Sequence, residues 1–340
     1  MNISPFSYTS KEFAELLFSQ CGRGLQQTQA LYSSFIRKGV IPKDLPSFKN
    51  APHLFQEMVA CMNVQVLPYI VVGEDDGTLR FALKTGDQHL IESVLMRMQH
   101  GLTLCVSSQI GCRMGCRFCC TGRQGLVRNL SCAEIVQQLY VARHMLKKDV
   151  KNIVFMGMGE FFDNAQAALQ AVNVFSDPFG FNIGMKHITI STSGDIPGIL
   201  SLAKRTGPAP NLAVSLNAAS DEIRALLMPL RKNEPLIKLK QALNAYCEAA
   251  KKEVLISYVL LKDINDGLEQ ADALSFFLEG LPVKINIIPF NRFAQAPFEP
   301  PGEHVIAAFT QRLRENGFRT LRRGPKGTSI NAACGQLQKG

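Results

Sequence analysis

Five of the ten cysteines in this 340-residue chain lie between positions 105 and 120. Three of them, Cys112, Cys116 and Cys119, have the spacing C-x3-C-x2-C on a loop directly after an expected β-strand. Three thiolates converging there can hold three irons of a 4Fe-4S cluster and leave the fourth iron open to an exogenous ligand, which makes the cluster a chemical reagent. A structural zinc would want a fourth Cys or His. Cys120 is adjacent to Cys119 and poorly aimed for that task, and Cys105 and Cys132 are the other thiols near enough in sequence. The spacing favours the cluster over zinc, and both over buried structural thiols.

The elements that must position this loop are legible in the hydrophobic pattern. Thr9 and Glu12 form a capping-box pair ahead of Phe13, Leu16 and Leu17, a second helical pattern through Leu31, Phe35 and Ile36 stops at Gly39, and a third helix is expected from Ser47 to Met62. Val64 to Val72 and Leu79 to Leu83 flank Glu74-Asp75-Asp76-Gly77 as a hairpin, and a further strand runs from Leu90 to Met98. This gives a helical accessory domain over 1–64, a β connector over 65–98 and a catalytic domain over 99–340. Within the last, β-rich runs at Leu102 to Ser107, Asn152 to Met156, His187 to Ser191, Leu212 to Leu216, Val254 to Leu261 and Lys284 to Ile288 alternate with helical stretches, the first marked by a Ser131/Glu134 capping box. Six βα units imply an α/β fold with a parallel sheet, open or curled into a partial barrel. The active site of such a barrel lies at the carboxyl ends of its strands.

The cysteine triplet resembles the signature of the radical S-adenosylmethionine (SAM) superfamily, whose open iron takes the amino and carboxylate groups of SAM. The run VSSQIGCRMGCRFCCTGRQGLVRNL, GMGE at Gly157 to Glu160, ISTSG at Ile190 to Gly194, SLN at Ser215 to Asn217 and INAACGQL at Ile330 to Leu337 follow in collinear order over about residues 90–340. Together they resemble the RlmN and Cfr family of RNA adenine methyltransferases. The resemblance implies a partial (β/α)6 barrel of radical SAM type with a small helical N-terminal domain, a 4Fe-4S cluster on Cys112, Cys116 and Cys119, and SAM as second cofactor. It implies that Cys334 is methylated by one SAM and that a 5′-deoxyadenosyl radical from a second SAM removes hydrogen from that methyl group. The methylene radical then adds to the amidine carbon at position 2 or 8 of adenine, which is not nucleophilic enough for polar methyl transfer. Cys105 matches the second cysteine, which attacks the Cys334 sulfur to release product and leave a disulfide. Glu92 matches the general base that takes the ring proton. Gly159, Glu160, Ser191, Ser215, Leu216, Asn217 and Asn291 match the SAM contacts, and all follow or end expected strands. The implied partners are an RNA, with 23S rRNA first and tRNA or another RNA as alternatives, and an electron donor such as flavodoxin or ferredoxin.

Read without the resemblance, Cys334 could be a small buried residue and Glu92 a strand residue facing water. Thr103, Cys105 and Ser107 share one strand face, so a purely structural Cys105 is expected among polar neighbours. The chain departs from the family pattern in Gly324-Pro325-Lys326-Gly327-Thr328-Ser329 before the last cysteine, in Phe161-Phe162 after GMGE, and in SLN where SLH is usual. These departures bear on substrate identity. A radical SAM enzyme acting on a protein would share the triplet but not the combination of Cys105, Cys334 and a basic tail.

Composition narrows the classes. With 46% hydrophobic and 19% charged residues and no low-complexity run, the chain is globular. Its longest apolar runs are far too short to span a bilayer and Met1 to Ser10 lacks the features of a signal peptide, so a cytoplasmic protein without membrane partners is expected. The net charge is +9, yet residues 1–90 balance at eight basic and eight acidic, so the surplus lies entirely beyond them. A surplus focused on one domain suits a polyanion, and Arg312, Arg314, Arg319, Arg322, Arg323 and Lys326, close in sequence to Cys334, are the expected phosphate contacts.

Overall fold

Runs such as Val-Leu-Ile-Ser-Tyr-Val-Leu at 254–260 are rich in β-branched residues and inaccessible to water along most of their length, the pattern of strands covered on both faces. In the computed structural model, which describes residues 2–231, 234–293, 296–324 and 326–337, they build one large sheet. Its strands are β1 (Tyr69–Asp75), β2 (Thr78–Lys84), β3 (Leu90–Met98), β4 (Gly101–Cys105), β7 (Val150–Phe155), β8 (Ile188–Thr192), β9 (Asn211–Ser215), β10 (Val254–Leu260), β11 (Val283–Pro289) and β12 (Thr320–Arg322), hydrogen-bonded in that order. The first four run antiparallel to one another, and from β4 onward every neighbour is parallel. A separate two-stranded ribbon, β5 (Gln109–Gly111) with β6 (Leu126–Asn129), brackets the cysteine loop.

The sheet is curled. β12 stands seven strands from β3 in sheet order, which is roughly 34 Å across a flat sheet. Four residues beyond β12, however, the Lys326 ammonium donates to the Arg97 carbonyl on β3 at 2.6 Å, and four residues of chain span at most about 14 Å. The segment after β12 therefore bridges the open side of a partial barrel. Helices Cys132–Tyr140, Ala165–Ser176, Ile196–Ala203, Leu236–Ala250, Leu268–Leu278 and Glu303–Glu315 alternate with the parallel strands. The fold is the expected α/β partial barrel, with the short β12 added to the six anticipated strands.

N-terminal helix Ser10–Cys21 packs on Leu25–Tyr32 and Pro52–Ala60, and the flanking segments Pro5–Ser7 and Ser33–Arg37 set Phe6 and Phe35 against Tyr140 of the barrel helix Cys132–Tyr140, at 5.0 and 5.1 Å between ring centroids. The expected helix from Ser47 to Met62 is divided. Pro52 disfavours helical backbone at the residue before it, Ala51 sits at φ −146°, and only Pro46–Phe48 forms a turn upstream. The hairpin's first strand begins at Tyr69 rather than Val64, since Pro68 lacks an N–H and Leu67 N–H donates to Gln137 Oε1 at 2.7 Å instead of to a strand.

Candidate active site

The cysteine loop is fastened at both ends and in the middle. Gly111 sits at φ +74°, and a Cβ there would lie 2.0 Å from the Gly125 carbonyl oxygen, so the β5–β6 ribbon closes only over glycine. Arg113 clamps Asp163 through two charge-assisted bonds of 2.6 Å, and Arg117 N–H donates to the Leu227 carbonyl at 3.0 Å. At the far end, Cys120 N–H donates to the Gly335 carbonyl at 2.7 Å and the Thr121 hydroxyl to the Leu337 carbonyl at 2.7 Å. The cysteine loop and the segment carrying Cys334 thus share an edge. Asn291 Nδ2 donates to the Cys334 carbonyl at 3.1 Å, and Gln336 ties the segment to the Arg292 carbonyl at 2.6 Å.

Cys112, Cys116 and Cys119 open onto one cleft at the carboxyl ends of the parallel strands. Gly159, Glu160, Ser191, Ser215, Asn217, Asn291 and Cys334 line the same cleft. Gly157 and Gly159 are there because the loop after β7 presses on the end of β4. A Cβ on Gly157 would lie 2.6 Å from Ser107 Oγ, and one on Gly159, at φ +111°, 2.8 Å from Ser108 Oγ. Glu160 is buried, accepts from Ser193 N–H at 2.7 Å, and burial holds its carboxyl above the usual carboxylate range. Asn217 adopts φ +61° and spends Oδ1 on Val259 N–H at 3.0 Å. Leu216 does not face the cleft, and its side chain packs into the main hydrophobic core.

Burial pushes all three cleft thiols up, Cys112 to about 12, with mutual repulsion adding to the shift at Cys116. They are neutral thiols until a metal group displaces their protons. The donor set fits a cluster with one free iron: three thiols face one space, with a buried carboxylate and the hydroxyls of Ser191 and Ser215 on its walls. The other thiols named as zinc partners point elsewhere. Cys132 Sγ lies 3.6 Å from the Phe6 carbonyl, and Cys105 opens on a different cavity.

That second, smaller cavity adjoins the first through Cys119, Met156, Gly157, Cys334 and Gly335. Cys105 and Cys334 both line it. The Cys105 thiol is pushed up to about 12 by burial and by the neighbouring Cys334 sulfur, against the pull of Arg323. Its surroundings differ from the expected polar set: it packs with Val94, Met96, Met158, Ala332 and Leu337, because β3 and the C-terminal segment supply the neighbours rather than its own strand. Glu92 lines neither cavity. It is buried on β3 and paired with Arg80 of β2.

Sequence reasoning missed Ser193, Ser257 and Phe290 in the cleft wall. Ser193 lies just past β8, a position that the strand-end rule could have flagged, whereas Ser257 sits in the middle of β10, where that rule gives no signal. The odd Phe161-Phe162 pair is core: Phe161 meets Phe155 edge-on at 4.9 Å, and Phe162 lies over Gly198, whose Cβ would sit 2.2 Å from the ring. In the expected phosphate stretch, Arg312 pairs with Asp272 and Arg322 with Glu303, and Arg314 donates to the Thr320 carbonyl at 3.2 Å. Pro325 of that approach lies outside the described residues.

Residues 106–274 match the Radical SAM superfamily. A "probable dual-specificity RNA methyltransferase RlmN 1" of Protochlamydia amoebophila is 48% identical over 98% of this chain and 94% of its own length. The chain belongs to the RlmN family. A dual-specificity RNA methyltransferase RlmN of Geotalea uraniireducens is 39% identical over 77% of the chain and 76% of its own length. A solved radical SAM methyltransferase from Sphaerobacter thermophilus superposes with TM-score 0.91 at 34% identity, over 98% of this chain and 99% of that one. The protein is therefore a radical SAM RNA methyltransferase that works with a 4Fe-4S cluster and SAM. Among the described residues no helix is long and apolar enough to cross a membrane.

Proposed function

We propose that this RlmN family member methylates a ring carbon of adenine, at position 2 or 8, in 23S rRNA through a methyl group carried on Cys334, with tRNA or another RNA as the alternative substrate. The adjoining cavities carry this reading: Cys334 lines both the cleft with the cysteine triplet and the cavity holding Cys105. A residue so placed can collect a methyl group on one side and meet a resolving thiol on the other.

Cys112, Cys116 and Cys119 would hold the cluster, and Gly159, Glu160, Ser191, Ser215, Asn217 and Asn291 would hold SAM, with Leu216 contributing main chain alone. Together the two cofactors supply one-electron cleavage and a carbon radical. Glu160, buried against Ser193 N–H, suits the SAM ammonium. Addition of the methylene radical leaves one unpaired electron on the ring adduct, which the cluster held by Cys112, Cys116 and Cys119 would accept in its oxidised form; Glu92 then takes the proton from the ring carbon and the C–H electron pair returns to the ring system. The Cys105 thiolate then attacks Cys334 Sγ. A sulfur–sulfur bond forms, the sulfur–methylene pair passes to carbon, and a proton completes the methyl group. The disulfide needs two electrons and two protons, supplied by two external thiols or one dithiol that leaves as a disulfide, before the next turnover.

The accessory helices (1–64), β connector (65–98) and catalytic part (99–340) divide recognition from chemistry in this reading, in the cytoplasm with flavodoxin or ferredoxin as reductant. The test is Cys105→Ala. That protein should accumulate covalently joined to RNA through Cys334, as a band that survives denaturation and disappears with ribonuclease, whereas Cys334→Ala should form neither methylated protein nor RNA product. Normal turnover by Cys105→Ala contradicts the mechanism.

A further inference from the structure

Arg80 is a buried cation outside both cavities, and its environment is specific. It stands on β2 opposite Val94 of β3, which in turn stands opposite Cys105 of β4. Val94 and Cys105 line the cavity that holds Cys334. Two residues before Val94 on the same strand, and hence on the same face, is Glu92. One terminal nitrogen of Arg80 bonds the Glu92 carboxylate, and the other donates to the Ile330 carbonyl at 2.9 Å. Ile330 lies four residues before Cys334. One planar guanidinium thus joins the carboxylate to the main chain of the segment that carries Cys334, a two-point grip that an ammonium cannot reproduce.

We propose that Arg80 is a positioning residue for release of the methylated RNA: it fixes Glu92 in register with the Cys334 segment, so that the base and the thioether reach the ring carbon as one unit. The inference rests on Glu92 acting as the base. Without Arg80 the Cys334 segment keeps its other ties, from Cys120 N–H to Gly335, Thr121 to Leu337, Asn291 to Cys334 and Gln336 to Arg292. Methylation of Cys334 should therefore survive, while Glu92 loses the group that aims it. The defect falls after the carbon–carbon bond has formed.

The experiment follows the reconstituted holoenzyme with protein-free 23S rRNA in single turnover, measuring Cys334 methylation by mass spectrometry and release of the covalent protein–RNA adduct on denaturing gels. Arg80→Met should methylate Cys334 at the native rate and release the adduct up to roughly a hundredfold more slowly, the order of loss when a reacting group is misplaced by about 1 Å. Arg80→Lys should lie between Arg80→Met and wild type, and it carries the test if Arg80→Met fails to fold. Adding either substitution to Glu92→Gln should slow release no further, because Arg80 acts through Glu92; a second, multiplicative loss overturns the proposal. So does loss of Cys334 methylation in folded Arg80 variants, which would make the residue a loop anchor only. Native release by Arg80→Met beside a trapped Glu92→Gln removes the role of Arg80 alone, whereas native release by Glu92→Gln removes the reading of Glu92 and this role with it.

Discussion

A thiol that must act as a nucleophile from an apolar cavity leaves a measurable trace. Burial and the Cys334 sulfur hold Cys105 at about 12, so at neutral pH only a small fraction is thiolate. Release of a preformed adduct should then quicken by about tenfold per pH unit between roughly pH 7 and 9, since the thiolate fraction rises in that proportion below the thiol's own titration. A flat profile in stopped single-turnover samples would mean that Cys105 is not the attacking group. The adjacent pair Cys119-Cys120 offers a sharper contrast. Cys119→Ala should abolish cluster assembly, read by iron and sulfide content and by the visible absorption band, and with it 5′-deoxyadenosine formation. Cys120→Ala should leave both largely intact, because the tie from this position to Gly335 is a main-chain bond that alanine keeps. At this scale the sequence was legible wherever function sits in a short motif: triplet, GMGE and terminal cysteine all reach the cleft. Arg80 was not, because its partners are 12 and 250 positions away, one brought to it by the β2–β3 register and the other by the return of the C-terminal segment. Leu216 shows the converse, since its neighbours in the motif alternate toward the cleft while its own side chain turns to the core.

Elements place these residues through a few close approaches rather than through general compactness. The loop after β7 reaches the cysteine loop only because two glycines let it pass Ser107 and Ser108. Gly159→Ala should cost on the order of 1–3 kcal/mol, combining backbone strain at φ +111° with a Cβ 2.8 Å from Gln109 and Ser108 atoms, and should weaken SAM binding. Gly207→Ala is the control: φ is +84° there but nothing lies within 4 Å, so strain acts alone and SAM binding should be unaffected. Thermal melts and SAM titration calorimetry of the two variants read the difference; equal losses of SAM affinity would deny the glycine contact its role. The pattern located β3 at its observed bounds and both capping boxes, because alternation and caps are local signals. It missed β5, β6 and β12. Each is four residues or fewer and draws its pairing from the tertiary neighbour rather than from an apolar period.

For the whole molecule, the question raised by a +9 charge is where it remains free to meet RNA. The basic C-terminal stretch is partly spent on the protein itself. Arg312 grips Asp272 with two bonds of 2.7 and 2.8 Å, and Arg322 pairs with Glu303. Arg319 is exposed on the turn before β12, and Lys326 stands where the chain bridges the barrel toward Cys334. Phosphate contacts should therefore come from Arg319 and Lys326 and not from Arg312. Reversing both, as Arg319→Glu with Lys326→Glu, should weaken RNA binding at low salt and flatten the dependence of log affinity on log salt by about 0.7 to 0.9 per contact removed, because fewer counterions are released. Arg312→Gln should leave the slope unchanged, since that charge is already neutralised by Asp272. Filter binding across a salt series measures both, with Cys334 methylation as the check that each protein remains folded. An unaltered slope in the double reversal would assign the tail to solvent and move the RNA path to another face of the barrel.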